Sequence, residues 1–207
     1  MRTMPLWLGS LALAAVWLGP LPALAPGHFS AHMTMHMGVV AIGAPLLACG
    51  LASSRFDPVG RLPGVFSAIP ASIAELVVVW AWHTPALHHL ARHTTAGLLL
   101  EQGTFLGSGL LVWLAAVGGR HDRDRHASGV VALLLTSMHM TLLGALIALA
   151  PRPLYHGPAD PRTALWEQQL GGAIMLLVGG VVYLAGGLWL SARVLRGSAA
   201  LREPGVP

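Results

Sequence analysis

The chain has 207 residues, no lysine, one cysteine and very little charge: Asp, Glu, Lys and Arg together make up 10% of it. Soluble globular domains carry about 25%. That scarcity excludes a soluble core wrapped in a charged surface. The lone Cys49 excludes an intrachain disulfide and any multi-cysteine metal site; lying in an apolar run, it reads as a small packing residue. With lysine absent, all 12 basic side chains are arginines in short loops or tails. The formal net charge of +4 therefore writes membrane topology rather than a nucleic-acid surface. No serine or cysteine nucleophile stands in a recognisable arrangement with a base, and no His-Glu-x-x-His occurs, so an enzyme is not expected.

What is abundant is apolar. The composition is 55% hydrophobic and the mean hydropathy is +0.66. Six apolar runs are spread over the length, at 6–25, 33–52, 66–84, 97–118, 128–150 and 170–192. Lipid offers no partners to backbone groups, so each run is expected to be helical. The expected fold is all-α, a polytopic transmembrane bundle of about six helices. Residues 1–25 read equally as a signal peptide or a first anchor: Arg2, an apolar stretch and Ala23-Leu24-Ala25 favour cleavage, and Pro26 sits awkwardly after the site. Residues 26–195 form the helical domain and 196–207 a short cytoplasmic tail. With the N-terminus inside, nine arginines (2, 55, 61, 120, 123, 125, 193, 196, 202) fall inside and three (92, 152, 162) outside. Trp166 and Tyr155 outside, with Trp113 and Trp189 near the inner ends, are expected in interfacial belts. Gly103, Gly107 and the glycine pairs of the last run are expected to let helices pack closely.

The polar residues gather at one end of this arrangement. His32-Met33-Thr34-Met35-His36-Met37 opens the second run. His32 and His36, four apart, share a helix face. Imidazole suits copper, and soft thioethers such as Met33 and Met37 favour Cu(I). His83 closes the third run on the outer side, followed in the loop by His88, His89 and His93, read as solvated. Glu101 and Gln102 begin the fourth run, and Glu167 the sixth. His139, between Met138 and Met140, lies mid-membrane in the fifth, where a polar group must be partnered. Glu75, deep in the third, needs a proton or a partner. Only His121 and His126 fall inside, so nine of the 11 histidines are outer or mid-membrane. For each, hydrogen bonding or helix capping competes with ligation.

Four stretches in order carry a resemblance: AHMTMHMGVVAIGAPLLACG, then WAWHTPALHHLARHTTAGLLLEQGTFLGSGLLVW, then SMHMTLLGALIALAPRPLY, then WEQQLGGAIMLLVGGVVYL. Together they resemble the cytochrome c oxidase assembly factors of the CtaG type, small polytopic bacterial membrane proteins. The match departs at Glu101-Gln102, where the family has Glu-His, at Glu167-Gln168-Gln169, where it has Asp-Gln-Gln, and at His88-His89, where it has Tyr-Asp.

The resemblance implies copper supply to, or assembly of, a haem-copper oxidase in the bacterial inner membrane, with ligands facing the periplasm. The expected partners are the lipid bilayer and an oxidase subunit or other copper-assembly proteins; no nucleic acid is expected. In this reading His32 and His36, with Met33 or Met37, hold the ion, and His83 and His139 complete or hand over the site. Glu101, Glu167 and Gln102 orient the imidazoles from behind by hydrogen bonding, without touching the ion. A haem-binding membrane protein with axial His36 and His139, a metal transporter centred on Glu75 and a metal-dependent hydrolase are the alternatives.

Overall fold

The computed structural model describes residues 3–52, 54–119, 123–155 and 160–200. His121, His156, Arg2, Arg120 and Arg202 lie outside the described residues. Among those described there is no strand. The helices are α1 (Thr3–Leu18), α2 (Leu21–Leu24), α3 (Phe29–Met37), α4 (Ala44–Leu51), α5 (Ala68–Trp82), α6 (Pro85–His93), α7 (Thr95–Val117), α8 (Arg123–Ala148), α9 (Pro161–Ile174) and α10 (Gly180–Ala200). A π-helical stretch, Gly38–Gly43, joins α3 to α4, and another, Met175–Gly179, joins α9 to α10. Five helical stretches are long and apolar enough to cross a membrane: Thr3–Leu24, Phe29–Leu51, Thr95–Val117, Asp124–Ala148 and Pro161–Arg196. The protein is a multi-pass helical membrane protein. The third expected span is shorter than the others. At 15 residues α5 rises about 22 Å, and the chain then bends at Thr84-Pro85 into α6.

The first π-helical stretch has a local cause. Pro45 has no N–H to give to a carbonyl in the preceding turn. The ladder slips by one residue, with Ala44 N–H bonding to the Val39 carbonyl. In that register the Val40 carbonyl faces Pro45 and has no backbone donor. Trp113 of α7 supplies one, its Nε1 donating to Val40 O at 3.0 Å. This defect therefore fastens α7 to the second span.

Helix α1 packs on α4 at glycines: a Cβ added at Gly43 would meet Leu13 at 2.6 Å, and one at Gly50 would meet Leu6 at 2.5 Å. Gly171, Gly172 and Gly186 of the last run also sit at close contacts, as expected, whereas the expectation for Gly103 and Gly107 is corrected. Gly103 and Gly107 have nothing within 4 Å of an added Cβ and face outward from the bundle. Cys49 is exposed on the outer surface of α4 rather than packed. Trp113 is buried and stacked on Tyr183, with centroids 5.4 Å apart, and Tyr155 is buried as well, so neither belongs to an interfacial belt. Trp166 and Trp189 are exposed as expected.

Candidate metal centre

Chain direction alternates from span to span, so one end of the bundle collects the start of α3, the end of α5, all of α6 and the start of α7. His32 and His36 stand one turn apart on the same face of α3 and are completely buried. That face meets His83, whose ring centroid is 5.5 Å from His32 and 5.2 Å from His36. His88 joins from α6, with its centroid 4.8 Å from His32. Phe105 closes the lower side against His36 at 4.1 Å. Phe29 and Tyr155, stacked at 4.3 Å, close the upper side over His88. Tyr155 is itself pinned, its hydroxyl donating to the His83 carbonyl at 2.8 Å.

The hydrogen bonding of these imidazoles is sparse. His83 Nδ1 lies 2.6 Å from the Val79 carbonyl. A carbonyl only accepts, so Nδ1 carries the proton and Nε2 presents a lone pair. That Nε2 is buried without a partner, as are both ring nitrogens of His32 and His36 and Nδ1 of His88. Buried polar atoms are nearly always hydrogen-bonded, so a group of bare nitrogens on converging rings asks for a ligand. Burial, then Arg92, then the neighbouring imidazoles push His88 down to about 3. That ring is neutral near pH 7, the form that coordinates metal.

One carboxylate faces them. Glu101 is completely buried in the first turns of α7. Its Oε2 accepts from the Arg92 guanidinium and from Gln102 Nε2, the latter at 3.0 Å. Its Oε1 has no hydrogen-bond partner and lies 3.7 Å from His32 Nδ1. Ligand atoms of His32, His88 and Glu101 all lie within 4.8 Å of one another. Gln102, standing where an imidazole occurs in the resembling family, also accepts from Trp17 Nε1 of α1 at 3.0 Å.

The structure thus brings together His32, His36, His83, Glu101 and Gln102 from the residues singled out in the sequence. His139, on α8, is buried with both nitrogens bare and lies within electrostatic reach of His36. Met33 and Met37 occupy the neighbouring stripe of α3. An added Cβ on Gly171 would meet Met33 Cβ at 3.5 Å, and one on Gly179 would meet Met37 Sδ at 3.8 Å. Both thioether residues therefore face α9 and the π-helical stretch after it. Glu167 is elsewhere too. It accepts from Ser30 N–H at 3.1 Å, from Ser30 Oγ and from His28 Nδ1 at 3.3 Å. Those bonds cap the N-terminus of α3 across helices, where a carboxylate also favours the dipole.

Two participants were missed. Residues 85–93, read as a loop, form α6, and His88, read as solvated, is buried. Arg92, counted only as a topology signal, is the counter-charge of Glu101 with its side chain 4% exposed. The signal was present: Pro85 suits the first position of a helix. From there His88, Ala91 and Arg92 fall on one face at spacings of three and four. His89 and His93 lie on the opposite, exposed face, with ring centroids 4.0 Å apart.

No curated protein and no solved structure matches this chain. A family model does, over residues 1–197: that of the cytochrome c oxidase caa3 assembly factor. With nearly the whole chain covered, and in agreement with the four ordered stretches read from the sequence, the protein belongs to the cytochrome c oxidase caa3 assembly factor family.

Proposed function

We propose that this assembly factor holds copper as cargo at the imidazole cluster and passes it toward the copper centre of a haem-copper oxidase. The observation that carries the reading is the convergence of four buried imidazoles with bare ring nitrogens at one end of the bundle. His32, His36 and His83 form the column that would hold the ion, and His139 lies beyond His36 toward the bundle centre. The donor set fits copper, because imidazole is a favoured ligand of both its oxidation states. His83 has the tuning of a ligand already in place, with Nδ1–H fixed on a backbone carbonyl and Nε2 directed away from it. The arginine bias supports an outer, periplasmic orientation for this end, and hand-over to an oxidase subunit or a copper-assembly partner would occur there.

The test is elemental analysis of the full-length protein in detergent after copper loading, beside the His32→Ala/His36→Ala variant. Near-stoichiometric copper in the parent and little in the variant is the expected result. Equal copper in the two would overturn the reading, and a Soret band in the parent would replace it with haem binding.

A further inference from the structure

Glu101 has a geometry that orienting an imidazole does not explain. A carboxylate in that role accepts a hydrogen bond from the ring, yet neither nitrogen of His32 makes one. The two oxygens are instead used differently. Oε2 takes two donors, Arg92 and Gln102, and is fixed by them. Oε1 takes none, is buried, and points at His32 Nδ1 across 3.7 Å, in a group whose third member is His88. Ligands on a four-coordinate ion with bonds of about 2.0–2.1 Å stand roughly 3.3–3.5 Å apart. The spread of up to 4.8 Å is thus open by little more than an ångström at its widest.

We propose that Glu101 is itself a ligand, completing with His32 and His88 a two-nitrogen, one-oxygen site for a divalent transition cation, and that Arg92 holds the cation's place until it arrives. This rests on the reading above that the cluster holds a metal, and it adds a subsite at the top of the column with a different preference. Imidazole and carboxylate together suit Zn(II), Cu(II) or Fe(II), whereas Cu(I) is selected by soft sulfur ligands. A buried carboxylate needs a counter-charge. The Arg92 guanidinium supplies it while the site is metal-free. A dication on Oε1 supplies it in turn and repels the guanidinium. A crevice of about 190 Å³ beside Arg92, lined by Pro22, Pro26, His93, Thr94 and Thr95, gives the displaced side chain a place nearer water. On metal arrival α6 stays tied to the site through His88 in place of the Arg92–Glu101 pair.

The experiment titrates the full-length protein in detergent with Zn(II), and separately with Cu(I) under reducing conditions. Glu101→Gln and His88→Ala should each weaken Zn(II) by more than the roughly 10–100-fold that loss of an outer partner costs. Arg92→Met should tighten Zn(II) about tenfold or more, since it removes a like charge that the ion must displace. If Glu101→Gln alone does not fold, Arg92→Met/Glu101→Gln removes both charges and should show the same loss. A parent that does not bind Zn(II), or a Glu101→Gln variant that binds it as the parent does, overturns the proposal. Cu(I) lost only in His32→Ala/His36→Ala, with Glu101→Gln normal for Zn(II), overturns this inference and leaves the copper reading standing. Zn(II) binding that depends on Glu101 and Arg92, with no copper retained, does the reverse.

Discussion

His83 and Glu75 lie on one stripe of α5, eight residues or about 12 Å apart, and head two buried polar clusters built to opposite rules. Around Glu75 most partners are supplied, although its own Oε2 is buried without one. Tyr183 Oη donates to its Oε1 at 3.2 Å, Ser72 Oγ donates to the Ala132 carbonyl, and Thr136 Oγ1 lies 3.4 Å from Ser72 Oγ. Trp113 stacks on Tyr183 and spends its own N–H on the carbonyl bared by Pro45. Around His83 the partners are withheld, and bare nitrogens on four rings face one another. A polar group buried for structure is satisfied by its neighbours, because leaving it unmade is costly. A polar group buried for a ligand stays unmade until the ligand comes. The contrast separates a seam that holds helices together from a site.

The strongest way to break this contrast is to empty the outer cluster. His32→Ala/His36→Ala should take copper from near-stoichiometric to near-absent while the protein stays folded in detergent, the cavities left by two buried rings being offset in part by the loss of unsatisfied polar atoms. A collapse of the melting temperature would make those histidines structural. The second effect is on pH. His88, in α6 outside the spans, is held at about 3, below the unfolded value near 6.5. The unfolded chain therefore binds a proton that the folded chain refuses, and metal-free stability falls as pH drops from about 6.5 toward 3. The slope is up to about 1.4 kcal/mol per pH unit. Melts between pH 7 and 4.5 check it, and a flat profile would mean that this ring is not held neutral.

A smaller loss is expected at the Glu75 cluster. Tyr183→Phe leaves Glu75 Oε1 without its donor, at a cost of about 1–3 kcal/mol, and should leave metal content unchanged. Metal loss in that variant would show that the two clusters work as one. The smallest is Glu167→Gln, which weakens the cross-helix cap on α3 by about 0.5–2 kcal/mol. Because that cap positions the helix bearing His32, a modest fall in metal affinity beside the stability loss would sharpen the picture. A loss as complete as in the double histidine variant would make Glu167 part of the site.

Much of this was legible because membrane chemistry is written in composition. Scarce charge and apolar runs led to the helices, most within about five residues of their ends, while the last begins at Pro161, nine residues before the run read at 170. His32 and His36 were readable as a pair since four-residue spacing is a local property of a helix. Where local evidence was thin the reading slipped. Residues 85–93 are too polar to register as an apolar run, so α6 passed for a loop and His88 and Arg92 were left in solvent. Gly103 and Gly107 have packing spacing, but spacing alone does not say whether a helix lies opposite, and here none does. Glu167 sits at a helix start, where its own helix and a neighbouring one both offer donors, and only the packing shows that it caps α3.

By itself the sequence determined the membrane class, the helical content and the end of the bundle at which imidazoles gather. These follow from hydropathy, helical period and charge, which act over a few turns of chain. The tertiary structure decided which rings meet, that α6 folds over them, that the methionines of α3 turn to α9, and that Glu101 divides its oxygens between Arg92 and an open face toward His32. Those facts depend on the order of helices around the bundle and their rotation about their axes. Side chains far apart in the chain set both, when they compete for the same buried space.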